Sequence, residues 1–197
     1  MAHSRLAPYL LGFTMLLSAA GCGARQPVAS TAPAGPTPAR ILPLARVIGL
    51  ETSGPSPSDT TVSFTAGTPR TIVLTHGPPD NIEFASVSFA AHAFADSGQT
   101  VTVDIKPRPG VYGLDLATSL PLRSGEARLV FDYARYFSAP ARALQLYHSH
   151  AGFERVLAVG RVLPDDQIEL LSSTHPEPDD IEAVLPVTGS YLVAAPQ

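Results

Sequence analysis

Two histidines stand two residues apart in this 197-residue chain, at His148 and His150. On a strand they would share one face, because strand side chains alternate with period 2, and two imidazoles on one face can chelate a metal ion. His175, Glu177, Asp179 and Asp180 follow in an acidic, proline-containing loop and would complete such a site; His76 and Asp80 form a second partial set. Metal centres need three or four converging ligands, and this spacing secures only two. Ser172, Ser173, His175 and Asp179 supply the residue types of a nucleophilic triad, but triads are assembled in space and not by adjacency. The same loop offers carboxylates for calcium without EF-hand or repeat spacing. The favoured reading is solvated loop polarity beside strand ends, with no metal, no cofactor and no catalytic residue.

Other catalytic signatures are absent: there is no G-x-S-x-G elbow, no H-E-x-x-H, no glycine-rich phosphate loop and no C-x-x-C. Tyr112, Tyr133, Tyr136, Phe137 and Tyr147 gather in the middle of the chain. Tyr136 and Phe137 as an exposed pair would suit a protein or glycan partner; core filling is the commoner use of such rings and the one favoured here. Lysine and arginine total 13 against 17 aspartates and glutamates, for a formal charge of −4. That balance argues against nucleic acid, which requires a clustered basic face. It also provides no polybasic segment for anionic lipid.

The stretch that organises the rest is residues 6–22, LAPYLLGFTMLLSAAGC. Arg5 precedes a nearly unbroken apolar run that ends at Leu17, too short for a bilayer core of roughly 20 apolar residues. A positive start, a short apolar run and small residues before a cut describe a secretory signal. Ser18, Ala19, Ala20 and Gly21 lead directly into Cys22, the only cysteine. This arrangement resembles the lipobox of bacterial lipoproteins. The resemblance implies cleavage of residues 1–21, a diacylated Cys22 thiol, and a membrane held through the lipid. Gly23 is not the aspartate that retains such proteins at an inner membrane, so the resemblance implies the outer membrane where the source has two.

Removing Arg5 with the leader takes the basic count from 13 to 12 and the charge to −5. Residues 22–40 then carry prolines at 27, 33, 36 and 38 and no apolar period, the composition of a disordered tether. Fully extended, it would reach roughly 50 Å. Residues 41–197 are expected to form one domain. Val62 and Phe64, then Ile72 and Leu74, read as two strands of a hairpin around a turn at residues 66–69. Ile82 and Phe84 share one parity, Val87 and Phe89 the other, which predicts a β-bulge near Ala85 and Ser86. Val101, Val103 and Ile105 face inward, as do Tyr112, Leu114 and Leu116, then Leu129, Phe131 and Tyr133. Leu144 and Leu146 begin a short strand or one helical turn. Residues 153–163 read as a strand with Arg155 and Arg161 outward and Gly160 as a bulge. Tyr191 and Val193 close the chain. No stretch of a dozen residues after Cys22 sustains a helical period. The expectation is an all-β, antiparallel β-sandwich of roughly nine to eleven short strands.

Within residues 87–195 the landmarks are VTV at 101–103, PGVYGL at 109–114, LVFDY at 129–133 and GSYLVAA at 189–195. Their order is similar to the β-sandwich domain of ankyrins, zonula occludens proteins and netrin receptors, although Pro121 stands where that domain usually has an aromatic-x-x-Pro-Val entry. The resemblance implies a noncatalytic interaction or spacer domain and carries over no active-site residue. Two functions follow: a lipid-anchored envelope sandwich doing structural or binding work, or an envelope metal-binding protein or hydrolase using His148, His150, His175 and the 172–180 loop.

Overall fold

Alternating apolar residues from Thr60 onward build strands that bury one face each, and two sheets share the resulting core. The computed structural model describes residues 39–95 and 97–197; the leader, Cys22 and nearly all of the linker lie outside the described residues. The strands are β1 Arg40–Pro43, β2 Val47–Gly49, β3 Glu51–Thr52, β4 Thr60–Thr65, β5 Arg70–Thr75, β6 Glu83–Phe89, β7 Thr100–Pro107, β8 Gly113–Thr118, β9 Ala127–Asp132, β10 Phe137–Ser138, β11 Ala158–Leu163, β12 Gln167–Leu170, β13 Ser173–Thr174, β14 Asp180–Leu185 and β15 Gly189–Pro196. Leu44–Arg46 is a single 3₁₀ turn, and two short helices, α1 Ala141–Tyr147 and α2 His150–Glu154, precede β11.

An eight-stranded antiparallel sheet runs β1-β12-β11-β15-β8-β7-β4, with β2 also pairing β15; a five-stranded sheet runs β13-β14-β9-β6-β5. The fold is all-β and antiparallel, with two faces closing over one core. Val101, Val103 and Ile105 of the large sheet and Leu129 and Phe131 of the small one are fully buried in the same cluster. Phe64 of β4 meets Phe89 of β6 across the gap, ring centroids 6.0 Å apart. Tyr112, Leu114, Leu116, Tyr133, Tyr191 and Val193 are also buried, as their parity predicts.

Three local expectations change. The hairpin at residues 61–75 is an arch: β4 pairs β7 while β5 pairs β6, so the turn at residues 66–69 carries the chain between sheets. Val62 and Phe64 face the core from one side, Ile72 and Leu74 from the other, and alternation reports a buried face without saying in which sheet. The bulge exists one residue earlier than expected. Register passes from Leu74 opposite Ala85 to Thr75 opposite Glu83, leaving Phe84 as the extra residue, and Phe84 and Ala85 are both buried. Val87 and Phe89 are buried, whereas Ile82 precedes the strand and is half-buried. Finally, residues 153–157 are not strand. Phe153 anchors α2 in the core, and β11 begins at Ala158. Gly160 pairs regularly with both Leu170 and Leu192. It is glycine for space, since a Cβ there would lie 2.4 Å from Ile168 Cδ1.

Candidate functional site

The histidine pair does not share a strand face. His148 ends α1 in a left-handed conformation, φ 61°. His150 opens α2 after Ser149, whose side chain caps the helix by accepting from the Gly152 amide at 2.9 Å. Both histidines are exposed, and His150 turns its ring toward Phe137, 5.9 Å away. The segment is helical because Pro140 starts a turn that buries Ala143, and seven residues are too few for a helical period to show in the sequence.

His175 lies elsewhere, just after β13. Its Nδ1 donates to the Asp180 carbonyl at 3.1 Å, and its Nε2 is buried without a partner. Together with Tyr133, Ala151, Glu154, Arg155 and Pro178 it lines a cleft of about 170 Å³. The Tyr133 hydroxyl donates to the Pro178 carbonyl at 3.3 Å. Burial, followed by the charges of Glu154, Asp179 and Asp180, raises that phenol far above its ordinary range. Asp180 sits opposite Asp132 in the β14–β9 ladder. Burial and then the neighbouring Asp132, Glu177, Glu83 and Asp179 push its carboxyl up to about 6. Such a carboxyl can hold or release a proton near neutrality, but Asp180 does not line the cleft, and the one hydroxyl that does, Tyr133, donates to the Pro178 carbonyl. Among the described residues, no three or more His, Cys, Asp or Glu side chains are placed to hold a metal ion.

The triad residues are separately occupied. Ser173 is fully buried; its Oγ accepts from the Val159 amide at 2.9 Å and donates to the Leu171 carbonyl at 3.1 Å. It stitches β11 to β13, and its hydrogen-bonding capacity is spent on backbone. Ser172 and Asp179 are exposed, and Asp179 contributes its carbonyl to the Tyr133 amide.

The most enclosed histidine among the described residues is His76, which sequence spacing marked only as a partner for Asp80. It is 1% exposed. Its Nδ1 donates to the Pro55 carbonyl at 2.9 Å, while Nε2 is buried and unpartnered. The ring stands edge-on to Phe84, Tyr112 and Tyr136 at 5.2, 6.1 and 5.1 Å. Asp80 is engaged instead by the Tyr136 hydroxyl and by Arg135, 3.3 Å away. Tyr136 adopts φ 64° and covers Gly54, where a Cβ would come within 2.5 Å of its ring. Tyr112 donates its hydroxyl to the Arg135 carbonyl. Burial pushes the Tyr112 phenol up to about 12. Tyr136 and Phe137 are therefore both half-buried, Tyr136 over this nest and Phe137 against Tyr133 at 6.0 Å, and they do not form a free exposed pair. Only the concentration of aromatics at 112–147 hinted at this nest; the left-handed Tyr136 that closes it has no sequence signature.

No family model matches the chain, and no curated protein or solved structure matches it either.

Proposed function

We propose that this chain is a lipid-anchored protein of the bacterial cell envelope, held by diacylated Cys22 and directed to the outer membrane where there is one. Its β-sandwich does structural or binding work toward a protein or glycan partner, without catalysis. The observation that carries the proposal is the leader itself: one charge, a short apolar run, and four small residues directly before the single cysteine. The chain beyond it supports the reading, because residues 23–38 are proline-rich in sequence and strand β1 begins at Arg40. Support for a noncatalytic domain comes from the scattered histidines and from Ser173, whose hydroxyl is used within the sheet.

Cys22→Ser tests the anchor. The wild-type chain should incorporate labelled palmitate in a bacterial host and partition into detergent; the variant should incorporate none and remain uncleaved or soluble. Wild-type partitioning by Cys22→Ser would overturn the proposal.

A further inference from the structure

The sandwich has four sheet edges, and they are protected very unequally. β1 has four residues and ends on Pro43, which blocks further pairing; β13 has only two residues. β4 and β5 are six residues each. Native proteins usually blunt long edges with charge, proline or cover, because an open row of N–H and C=O groups is a template for another strand. From Thr71 to Thr75 the β5 edge carries no charge and no proline. Among the described residues, its ladder partner is β6 alone. Val73, at the middle of this edge, is 51% exposed on the outer face of the small sheet.

The residues of this edge are also symmetric about Val73. Laid antiparallel on a second copy with Val73 at the dyad, Thr71 meets Thr75, Ile72 meets Leu74, and Val73 meets Val73. Core-facing residues stay with core-facing residues, and the exposed Thr-Val-Thr row continues across the junction. A two-fold interface must be self-complementary in this way. Pairing also stops where the fold requires. Beyond Thr75, the His76 amide is committed to the Ile82 carbonyl and its ring to Pro55; the dyad ends the opposite side at Arg70. The neighbouring β4 edge repeats the symmetry about Ser63 but exposes no apolar side chain at its centre. Of the two six-residue edges, β5 is therefore the one with apolar surface at its centre to bury, while the exposed Ile41 of β1 lies on the short edge that ends on Pro43.

We infer that two copies of this chain pair antiparallel through β5, joining their five-stranded sheets into one of ten strands, with Val73 on the two-fold axis. Roughly four to six backbone hydrogen bonds would form, according to whether the central pair is a hydrogen-bonded one. A short pairing of this kind suits proteins held together on one surface, where confinement raises effective concentration. It does not depend on the anchor.

Variants of the full chain that each add cysteine beside Cys22 test it by mild oxidation and non-reducing electrophoresis. Directly opposed strand residues have Cβ atoms about 4.5–5.5 Å apart, close to disulfide reach, so Val73→Cys should form a covalent dimer readily. Thr75→Cys should not, because its equivalent in the partner lies four residues along the strand. The double variant Thr71→Cys with Thr75→Cys should cross-link. The wild-type chain reports any contribution from Cys22, and the amount of correctly folded Val73→Cys is checked by its unfolding midpoint. Sedimentation of wild-type protein should show a concentration-dependent dimer that Val73→Lys abolishes without changing the midpoint. The inference is overturned if Val73→Cys cross-links no better than Ile41→Cys on β1, if Thr75→Cys cross-links equally well, or if the thiol introduced by Val73→Cys is captured by a different protein.

Discussion

Phe131→Ala should lower stability by about 3–5 kcal/mol, the range for truncating a buried phenylalanine. Phe131 is fully buried near the C-terminal end of β9, between Ala85 of β6 and Ile181 of β14. Its ring stands perpendicular to Phe84 with centroids 5.8 Å apart. An edge-to-face pair of this kind adds about 0.5–1.5 kcal/mol beyond area. Truncation would open a void beside Phe84, Ala85 and Ile181; β6, β9 and β14 are each paired on both sides and cannot move in to fill it. The matched control is Thr102→Ala on the opposite face of β7. Thr102 is half-buried, shares a hydrogen bond with Ser63 Oγ at 2.9 Å, and keeps its main-chain bond to Ser119 in the variant. Its loss should cost about 1 kcal/mol or less. Urea unfolding gives both values from midpoints at equal slope, and the thermal midpoint of Phe131→Ala should fall by about 10 °C. A Phe131→Ala cost below about 1 kcal/mol, or one matched by Thr102→Ala, would refute the assignment of the core between these sheets.

Two further outcomes are expected. The Asp180 carboxyl is raised from its ordinary 3.8 to about 6 in the folded chain, so folding takes up a proton between those values and this residue's contribution to stability falls as pH rises through them. Asp180→Asn should flatten that part of the stability–pH curve and gain about 1 kcal/mol or less at pH 7, because solvent screens the group; an unchanged curve would contradict the assignment. Gly160→Ala should cost about 1–3 kcal/mol by overpacking against Ile168, read from urea unfolding; a neutral result would show that Ile168 has room to turn away.

The strands were legible because period-2 burial is a local signal. Val101, Val103 and Ile105 announce their face without reference to any partner. Partnership is not local: β4 and β5 each show one buried side, and nothing in TTVSFT or RTIVLT says that the turn between them crosses from sheet to sheet. Of the helices, α2 has no sequence signal and α1 only Leu144 and Leu146, which fit a strand or one helical turn, because both helices are shorter than the window in which period 3.6 becomes visible. The candidate chemistry was legible only as residue types. Ser173, His175 and Asp179 sit within seven residues, yet β13 turns the serine into the sheet while the aspartate stays in water. The His76 nest joins residues from 54 to 136 through a left-handed tyrosine, a contact set that no spacing encodes.

Alternation within β15 divides the fold more finely than its sheets do. Tyr191, Val193 and Ala195 belong to the main core, whereas Ala194 belongs to a small second cluster with Val47, Ala158, Ile168 and Leu170. Adjacent residues of one strand face opposite ways, so this second cluster lies on the outer face of the large sheet. Leu42, Leu44 and Leu192 pack against it. Leu42 and Leu44 belong to the segment that opens the described residues, which is tied down by the pairing of β1 with β12 and by the Leu44 amide bonding to the Asp166 carbonyl. Gly160 shares the parity of Ala158, and its missing side chain makes the space that Ile168 occupies. Residues 40–47 therefore supply an edge strand and pack on a small cluster that is separate from the residues between the two sheets.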